Sequence, residues 1–242
     1  MSKKRISTGI AGLDPFLEGG FPSGKSYLVT GEPGTGKSIF CLQFLIRGLM
    51  QGEKAVYVAV DEKPADVMEQ AASLGWDLSQ YIEKKDLLIL DASPYFSARM
   101  GAGREKEIDV SKTVSDLASY VKRMEASRVV IDPVGPLIGS GDSISRLQDN
   151  VRMLVHSLQA NMETTNLLTS YAPRLGERSV HGFEEYLVSG CIVLEMVWVE
   201  ERFVRTLIVE KMRGTALDPA QQEFNIVKGK GIVLNPNHKP TQ

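Results

Sequence analysis

The run Gly31–Ser38, GEPGTGKS, lies between two apolar stretches, Tyr27–Val29 before it and Ile39–Leu49 after it. It matches G-x-x-x-x-G-K-[ST] in full, and the flanks supply the context that pattern requires: a strand ends, glycines turn the chain, a helix begins. Gly31, Gly34 and Gly36 permit backbone angles that a side chain forbids, so successive N–H groups can converge on one anion. The helix that follows adds its partial positive N-terminus. Lys37 is placed to reach the β- and γ-phosphates of a nucleoside triphosphate, and the Ser38 hydroxyl to ligate magnesium. Pro33, Thr35 and Ile39 complete the candidate nucleotide-binding residues of this loop. The alternative is a glycine-rich turn without a ligand.

The rest of the chain alternates in a way that suits such a loop. Ala55–Val60 (AVYVAV) is a continuous apolar run, as expected of a buried parallel strand, and it ends at Asp61-Glu62. Pro64 opens a helix that Gly75 closes after about Leu74. Leu87–Leu90 is a third strand, and Val110, Val114, Leu117, Val121 and Met124 recur at helical spacing. Arg128–Ile131 is a fourth strand, ending at Asp132. A glycine-rich loop, Gly135–Ser143, precedes a helix from about Ser145 to Gln159, and Asn166–Thr169 is a fifth strand.

Helical pattern then ceases. Cys191–Val199, Phe203–Lys211, Glu223–Val227 and Gly231–Leu234 follow one another as antiparallel hairpins at one sheet edge. The expected fold is therefore α/β: a mostly parallel sheet flanked by helices, with right-handed crossovers and C-terminal hairpins at one edge. No linker or internal repeat interrupts it, so residues 1–242 read as one domain. Thr8–Gly24, rich in glycine and proline, reads as a packed loop before the first strand.

Composition narrows the partners. With 28 basic and 30 acidic residues among 242, the net charge is -2, which gives no global attraction to nucleic acid or to an anionic membrane. The one locally basic run, Ser2–Arg5, reads as solvated. No apolar stretch reaches the roughly 20 residues that span a bilayer, and MSKKRISTGI lacks the apolar core of a secretory signal, so the expected address is the cytoplasm. Cys41 and Cys191 are isolated in apolar surroundings and read as reduced, buried thiols, while His156, His181 and His238 show no ligand spacing.

In open α/β sheets ligands sit at the carboxyl ends of strands. Asp132 fits the residue that holds magnesium, directly or through water; its alternative is a turn or helix cap. Asp61 and Glu62 are candidates to accept a proton from an attacking water, with capping of the Pro64 helix as the alternative. Lys211–Thr215 (KMRGT), at the end of a predicted strand, reads by itself as a solvated basic turn.

The chain resembles the RecA-like ATPases of the KaiC family from about Thr8 to Pro236. The resemblance is carried by TGIAGLDPFLEGGFPSGKSYLVTGEPGTGKS, VAVDEKP, VVIDPVGPL, and KMRGT followed by FNIVKGKGIVL. It implies ATP rather than GTP, and homohexameric rings in which ATP lies between neighbours. Lys211, Met212 and Arg213 would then contact ATP held by the adjacent subunit, with Lys211 and Arg213 acting on its γ-phosphate as an arginine-finger pair. Thr169 and Ser170 would lie beside that phosphate as a sensor. Two positions depart from the family's pattern: Asp61 stands where glutamate is common, and no histidine occurs near Leu217. The stretch HGFEEYLVSGCIVLE resembles the hydrolytic domain of the clock protein. It places Glu185-Tyr186 where that protein's other domain carries its phosphoacceptors, so Ser/Thr autophosphorylation is not expected there.

The leading expectation is a magnesium-dependent ATPase whose slow hydrolysis drives a conformational change read by a regulatory protein partner. A nucleotide-binding switch with little hydrolysis is the second. A DNA-handling RecA-like ring is the third, but the loops expected at its lumen, Gly139–Arg146 and Arg174–Glu184, mix Arg146, Arg174, Arg178 and His181 with Asp142, Glu177 and Glu184. Nucleic-acid tracks are normally clustered Lys/Arg with stacking aromatics.

Overall fold

The computed structural model describes residues 4–93, 110–138, 144–161, 164–171 and 187–235. Most of the expected lumen loops, together with His181, Glu185-Tyr186 and His238, lie outside the described residues. In chain order the elements are β1 (Arg5–Ile6), a 3-10 turn (Asp14–Leu17), β2 (Phe21–Pro22), β3 (Ser26–Gly31), α1 (Lys37–Leu49), β4 (Ala55–Ala59), α2 (Pro64–Ser73), α3 (Ser79–Glu83), β5 (Leu87–Asp91), α4 (Val110–Met124), β6 (Arg128–Asp132), α5 (Gly135–Ile138), α6 (Ile144–Asn161) and β7 (Thr165–Tyr171). Four long or hairpin strands follow: β8 (Gly190–Val199), β9 (Arg202–Met212), β10 (Gln222–Val227) and β11 (Gly231–Leu234).

A nine-stranded sheet runs in the order β11-β10-β9-β8-β3-β7-β6-β4-β5. From β8 through β5 all neighbours are parallel, and from β8 through β11 they are antiparallel. The hairpin edge expected from the sequence is present. It is joined to the parallel half through β8, which is parallel to β3 and antiparallel to β9. Strand β3 therefore lies inside the sheet, bonded on both sides, which is why every residue from Ser26 to Gly31 is buried.

Side chains alternate between two apolar layers. Tyr27, Val29, Tyr57 and Val130 face the layer shared with α1, α2 and α3. Leu28, Val56, Val58, Val129 and Ile131 face the layer covered by α4 and α6. In α4 the buried positions are Val110, Val114, Leu117 and Val121, the stripe that its periodicity predicts. Helix α1 is different, because Phe40 through Ile46 are all buried rather than one face alone. It is enclosed by the N-terminal segment and the β10–β11 hairpin as well as by the sheet. Gln43 makes that enclosure possible. Its Nε2 donates to the carbonyl oxygens of Gly9 (2.8 Å), Lys230 (3.0 Å) and Ile232 (3.1 Å), and its Oε1 accepts the Ile232 N–H at 2.7 Å. A buried amide satisfied on both ends holds three segments together without an unpaired polar atom.

Several segments differ from the sequence reading. Thr8–Gly24 contains the 3-10 turn and β2, which pairs with β1. Pro15 sets the backbone angle for that turn, and Asp14 ties it down by accepting the Thr8 N–H at 2.8 Å and the Ser7 hydroxyl at 2.6 Å. Residues 135–138 of the expected glycine-rich loop are helical (α5), and α3 has no counterpart in the sequence reading. Arg5 is not solvated: its side chain is 17% exposed and paired with Glu18 at 2.7 Å. Cys41 and Cys191 are buried, and neither is in a disulfide. No helix among the described residues is long and apolar enough to cross a membrane.

Candidate functional site

Because β3, β7, β6 and β4 are parallel neighbours, their carboxyl ends open on one edge of the sheet, at the N-terminus of α1. The loop Gly31–Gly36 is built for that edge. Gly31 has φ +150°, and a Cβ there would lie 2.1 Å from the Leu194 carbonyl oxygen of β8, so no other residue fits between the strands. Gly36 is the N-cap of α1 at φ +111°, in the left-handed region, with no side-chain cap competing for the first helical N–H groups. Thr35 is buried and its hydroxyl donates to the Glu32 carbonyl at 2.8 Å, closing the loop from beneath. Pro33 and Gly34 form its exposed crest, while Ser38 and Ile39 are half-buried. Lys37 Nζ donates to the carbonyl oxygens of Gly31 (2.8 Å) and Glu32 (2.9 Å). Burial pushes its pKa down, and the negative charge of Asp132 opposes that.

Asp132 ends β6. Its Oδ2 accepts the Tyr57 phenol at 2.6 Å, and its Oδ1 accepts the Thr169 hydroxyl. The hydroxyls of β4 and β7 thus orient the carboxylate from either side. Burial, followed by Asp132, pushes the Tyr57 phenol up, so it remains a donor. The donor types fit magnesium: one hydroxyl, Ser38, and one oriented carboxylate, Asp132, are of the kind that suits an ion that usually keeps waters and takes its other ligands from substrate phosphates.

Asp61 and Glu62 follow β4 on the same edge and are exposed. Partial withdrawal from water and then the charge of Asp132 push both carboxyls up. Neither caps α2. The N-cap is Lys63, and the carboxylate that closes that helix end belongs to Asp66, which accepts the Lys63 N–H at 3.2 Å. The capping alternative is therefore filled by another residue, leaving both acids exposed at the carboxyl end of β4, within the electrostatic reach of Asp132. Ser170 is buried beside Thr169 in β7.

Lys211, Met212 and Arg213 are elsewhere. Gly31 lies opposite Leu194, and Leu194 opposite Leu207; Tyr27 lies opposite Gly190, and Gly190 opposite Met212. Met212 is thus level with Tyr27, four residues back from Gly31 and two strands across, roughly 13 Å along the strands and about 10 Å sideways. Arg213 lies further back, its N–H donating to the Ser189 carbonyl at 2.7 Å. The KMRGT turn belongs to the far end of the sheet from the phosphate loop of its own chain. Leu217, after the turn, packs against the core.

Tyr57 and Arg205 also reach these residues and carry no local signal in the sequence. Tyr57 reads as an ordinary core aromatic of AVYVAV, and only the adjacency of β4 and β6 gives it Asp132 as a partner. Arg205 of β9 reaches across to the phosphate loop, its Nη2 lying 3.5 Å from the Gly34 carbonyl.

A family model described as "ATPase: KaiC" matches residues 6–239. A UPF0273 protein of Methanopyrus kandleri is 35% identical over 98% of this chain and 94% of its own length. The circadian clock oscillator protein KaiC of a Prochlorococcus marinus strain is 33% identical over 89% of this chain; the match spans 43% of that protein. The crystal structure of a KaiC-like protein from Pyrococcus horikoshii superposes with a TM-score of 0.83 at 30% identity, covering 97% of this chain and 100% of that one.

Proposed function

The chain belongs to the KaiC ATPase family, and from that premise we propose that it binds ATP with magnesium and hydrolyses it slowly at the subunit interfaces of a homohexameric ring. Residues 1–242 act as one such domain in the cytoplasm, and the conformational change that accompanies turnover is read by a protein partner with different affinity for the two states. The observation that carries this reading is the division of the basic groups. Lys37 lies with the acids at the carboxyl ends of the strands, whereas the Lys211–Arg213 backbone lies at the far end, away from its own loop, which in a ring would leave these groups for a neighbour's nucleotide.

In this reading the N–H groups at the start of α1 receive the phosphates, and Lys37 exchanges its two carbonyl acceptors for β- and γ-phosphate oxygens. Ser38 and Asp132 would hold magnesium, which would supply positive charge to neutralise those phosphates. Tyr57 and Thr169 keep the Asp132 carboxylate in one orientation. Glu62, assisted by Asp61, takes a proton from the attacking water, a task that a raised pKa suits. Lys211 and Arg213 of the next subunit meet the charge that develops on the transferred phosphoryl group. Ser/Thr autophosphorylation is not expected around Glu185-Tyr186; label from γ-labelled ATP on a peptide containing Ser179 or Ser189 would contradict that.

One observation favours a slower variant of the same site. Asp61 is one methylene shorter than glutamate and exposed, so Glu62 carries the proton transfer alone if Asp61 cannot reach. A switch that holds ATP and scarcely turns over is the limit of that case.

The test is steady-state hydrolysis per subunit as protein concentration rises through the assembly range, with particle size measured alongside. A rate that climbs with hexamer formation and then plateaus supports sites completed by a neighbour. Full activity in a monomeric particle overturns the ring reading, and tight ATP binding without turnover moves the reading to the switch.

A further inference from the structure

The Lys211–Thr215 turn does not stand on its own strand alone. Its upstream side is fixed by the β8–β9 ladder, including a bulge at which Cys191 faces Lys211 while Ile192 faces Val209. Its downstream side is held by the N-terminal segment through two side chains. Arg5 Nη1 donates to Thr215 Oγ1 at 3.0 Å, and Arg5 Nη2 donates to the Gly214 carbonyl at 3.0 Å. Glu18 pairs with Arg5 through Oε2 at 2.7 Å and accepts the Ala216 N–H through Oε1 at 3.1 Å. The guanidinium is itself anchored on the carbonyls of Leu17 (2.8 Å) and Gly20 (2.9 Å). The three residues after Arg213 are thus all bonded to one ion pair. Glu18 also has φ +51°, a left-handed backbone that a residue with a Cβ seldom adopts.

We propose that Arg5 and Glu18 are positioning residues for catalysis: they brace the turn that presents Arg213 to the nucleotide of the adjacent subunit. This rests on the reading of Arg213 as a neighbour-supplied finger. A planar fork with several fixed acceptors suits the task, because it restricts both the direction and the height of the turn, which a lysine point charge does not. The carboxylate of Glu18 adds a second point of support on the backbone itself. Displacing a finger by an ångström or so lowers the rate by a large factor while leaving the nucleotide's own contacts intact.

The inference makes the two faces of one subunit separable. Glu18→Ala leaves the phosphate loop complete and loosens the finger that the subunit lends. The expected result is a fall in kcat of about tenfold or more, with ATP affinity and ring size unchanged; Arg5→Lys lowers kcat in the same direction. Asp14→Asn is the control for general loosening, because Asp14 secures the same N-terminal segment through Ser7 and Thr8 without touching the turn. It should leave kcat within about twofold.

Mixed rings decide the mechanism. Glu18→Ala subunits mixed with Lys37→Ala subunits, whose loop is disabled and finger intact, should show more activity than the sum of the two alone. Arg213→Ala mixed with Lys37→Ala is the reference for the trans reading. If that reference recovers and the Glu18→Ala mixture does not, the brace is wrong and the finger stands. If neither recovers, the trans reading falls and takes the brace with it. Equal losses in Asp14→Asn and Glu18→Ala would also overturn the proposal, reducing the pair to general support of the N-terminus.

Discussion

The two ends of β3 hold chemistry in different ways. At the carboxyl end the candidate site is built mostly of backbone: a glycine loop, the first N–H groups of α1, and a single lysine whose amine rests on loop carbonyls. Side chains there are oriented by partners on adjacent parallel strands, as Asp132 is by Tyr57 and Thr169. At the amino end, the KMRGT turn depends on side chains from the first residues of the chain, Arg5 and Glu18. A backbone-built site is set once the sheet forms. A turn held by a side-chain ion pair depends on two residues remote in sequence, and that is the end where a neighbouring subunit would act in the proposed ring.

The largest effect should fall at the amino end. Arg213→Ala is expected to lower kcat by about a thousandfold, the lower range for such fingers, with the affinity for ATP little changed; nucleotide titration beside single-turnover hydrolysis checks both. A loss of affinity equal to the loss of rate would mean that Arg213 acts only in binding. At the carboxyl end, Glu62→Gln should lower the rate by about a hundredfold or more, and Asp61→Asn by less. The reverse ranking would assign proton transfer to Asp61.

The acids also set a pH dependence. Their pKa values are raised by partial desolvation and by Asp132, so the deprotonated form that the proposed proton transfer needs is lost on acidification at higher pH than for an ordinary carboxylate. The acid limb of kcat should therefore move toward lower pH in Asp132→Asn in whatever activity remains, because one of the causes is removed; an unmoved limb would take these carboxylates out of the titration. The smallest expected effect is Tyr57→Phe. It removes one hydrogen bond to Asp132 and should lower stability by about 1 kcal/mol, a fall in Tm of roughly 2–4 °C for a chain of this size.

The carboxyl end was readable from the sequence because its signals are local. GEPGTGKS states its own turn, and Asp61, Glu62 and Asp132 each terminate an apolar run. What the sequence could not carry was lateral order. Nothing in AVYVAV says that β4 lies beside β6, so Tyr57 read as core, and the local pattern could not exclude Asp61 or Glu62 as the cap that Asp66 supplies. The amino end was less readable still. Arg5 sits in a short basic run that resembles a solvated terminus, and its partners at 214–215 are more than two hundred residues away. KMRGT drew attention only through the KaiC-family resemblance, since a basic turn after a strand is common.

In the proposed ring, one subunit's Lys37 and the next subunit's Arg213 meet on the same nucleotide. The most direct measurement is a structure of the assembled protein with magnesium and a non-hydrolysable ATP analogue. The expected result is Arg213 within hydrogen-bonding distance, about 3 Å, of a γ-phosphate held by the neighbour's Lys37, with that lysine released from the carbonyls of Gly31 and Glu32. A filled phosphate loop in an assembled particle, with Arg213 turned away from every nucleotide, would contradict it.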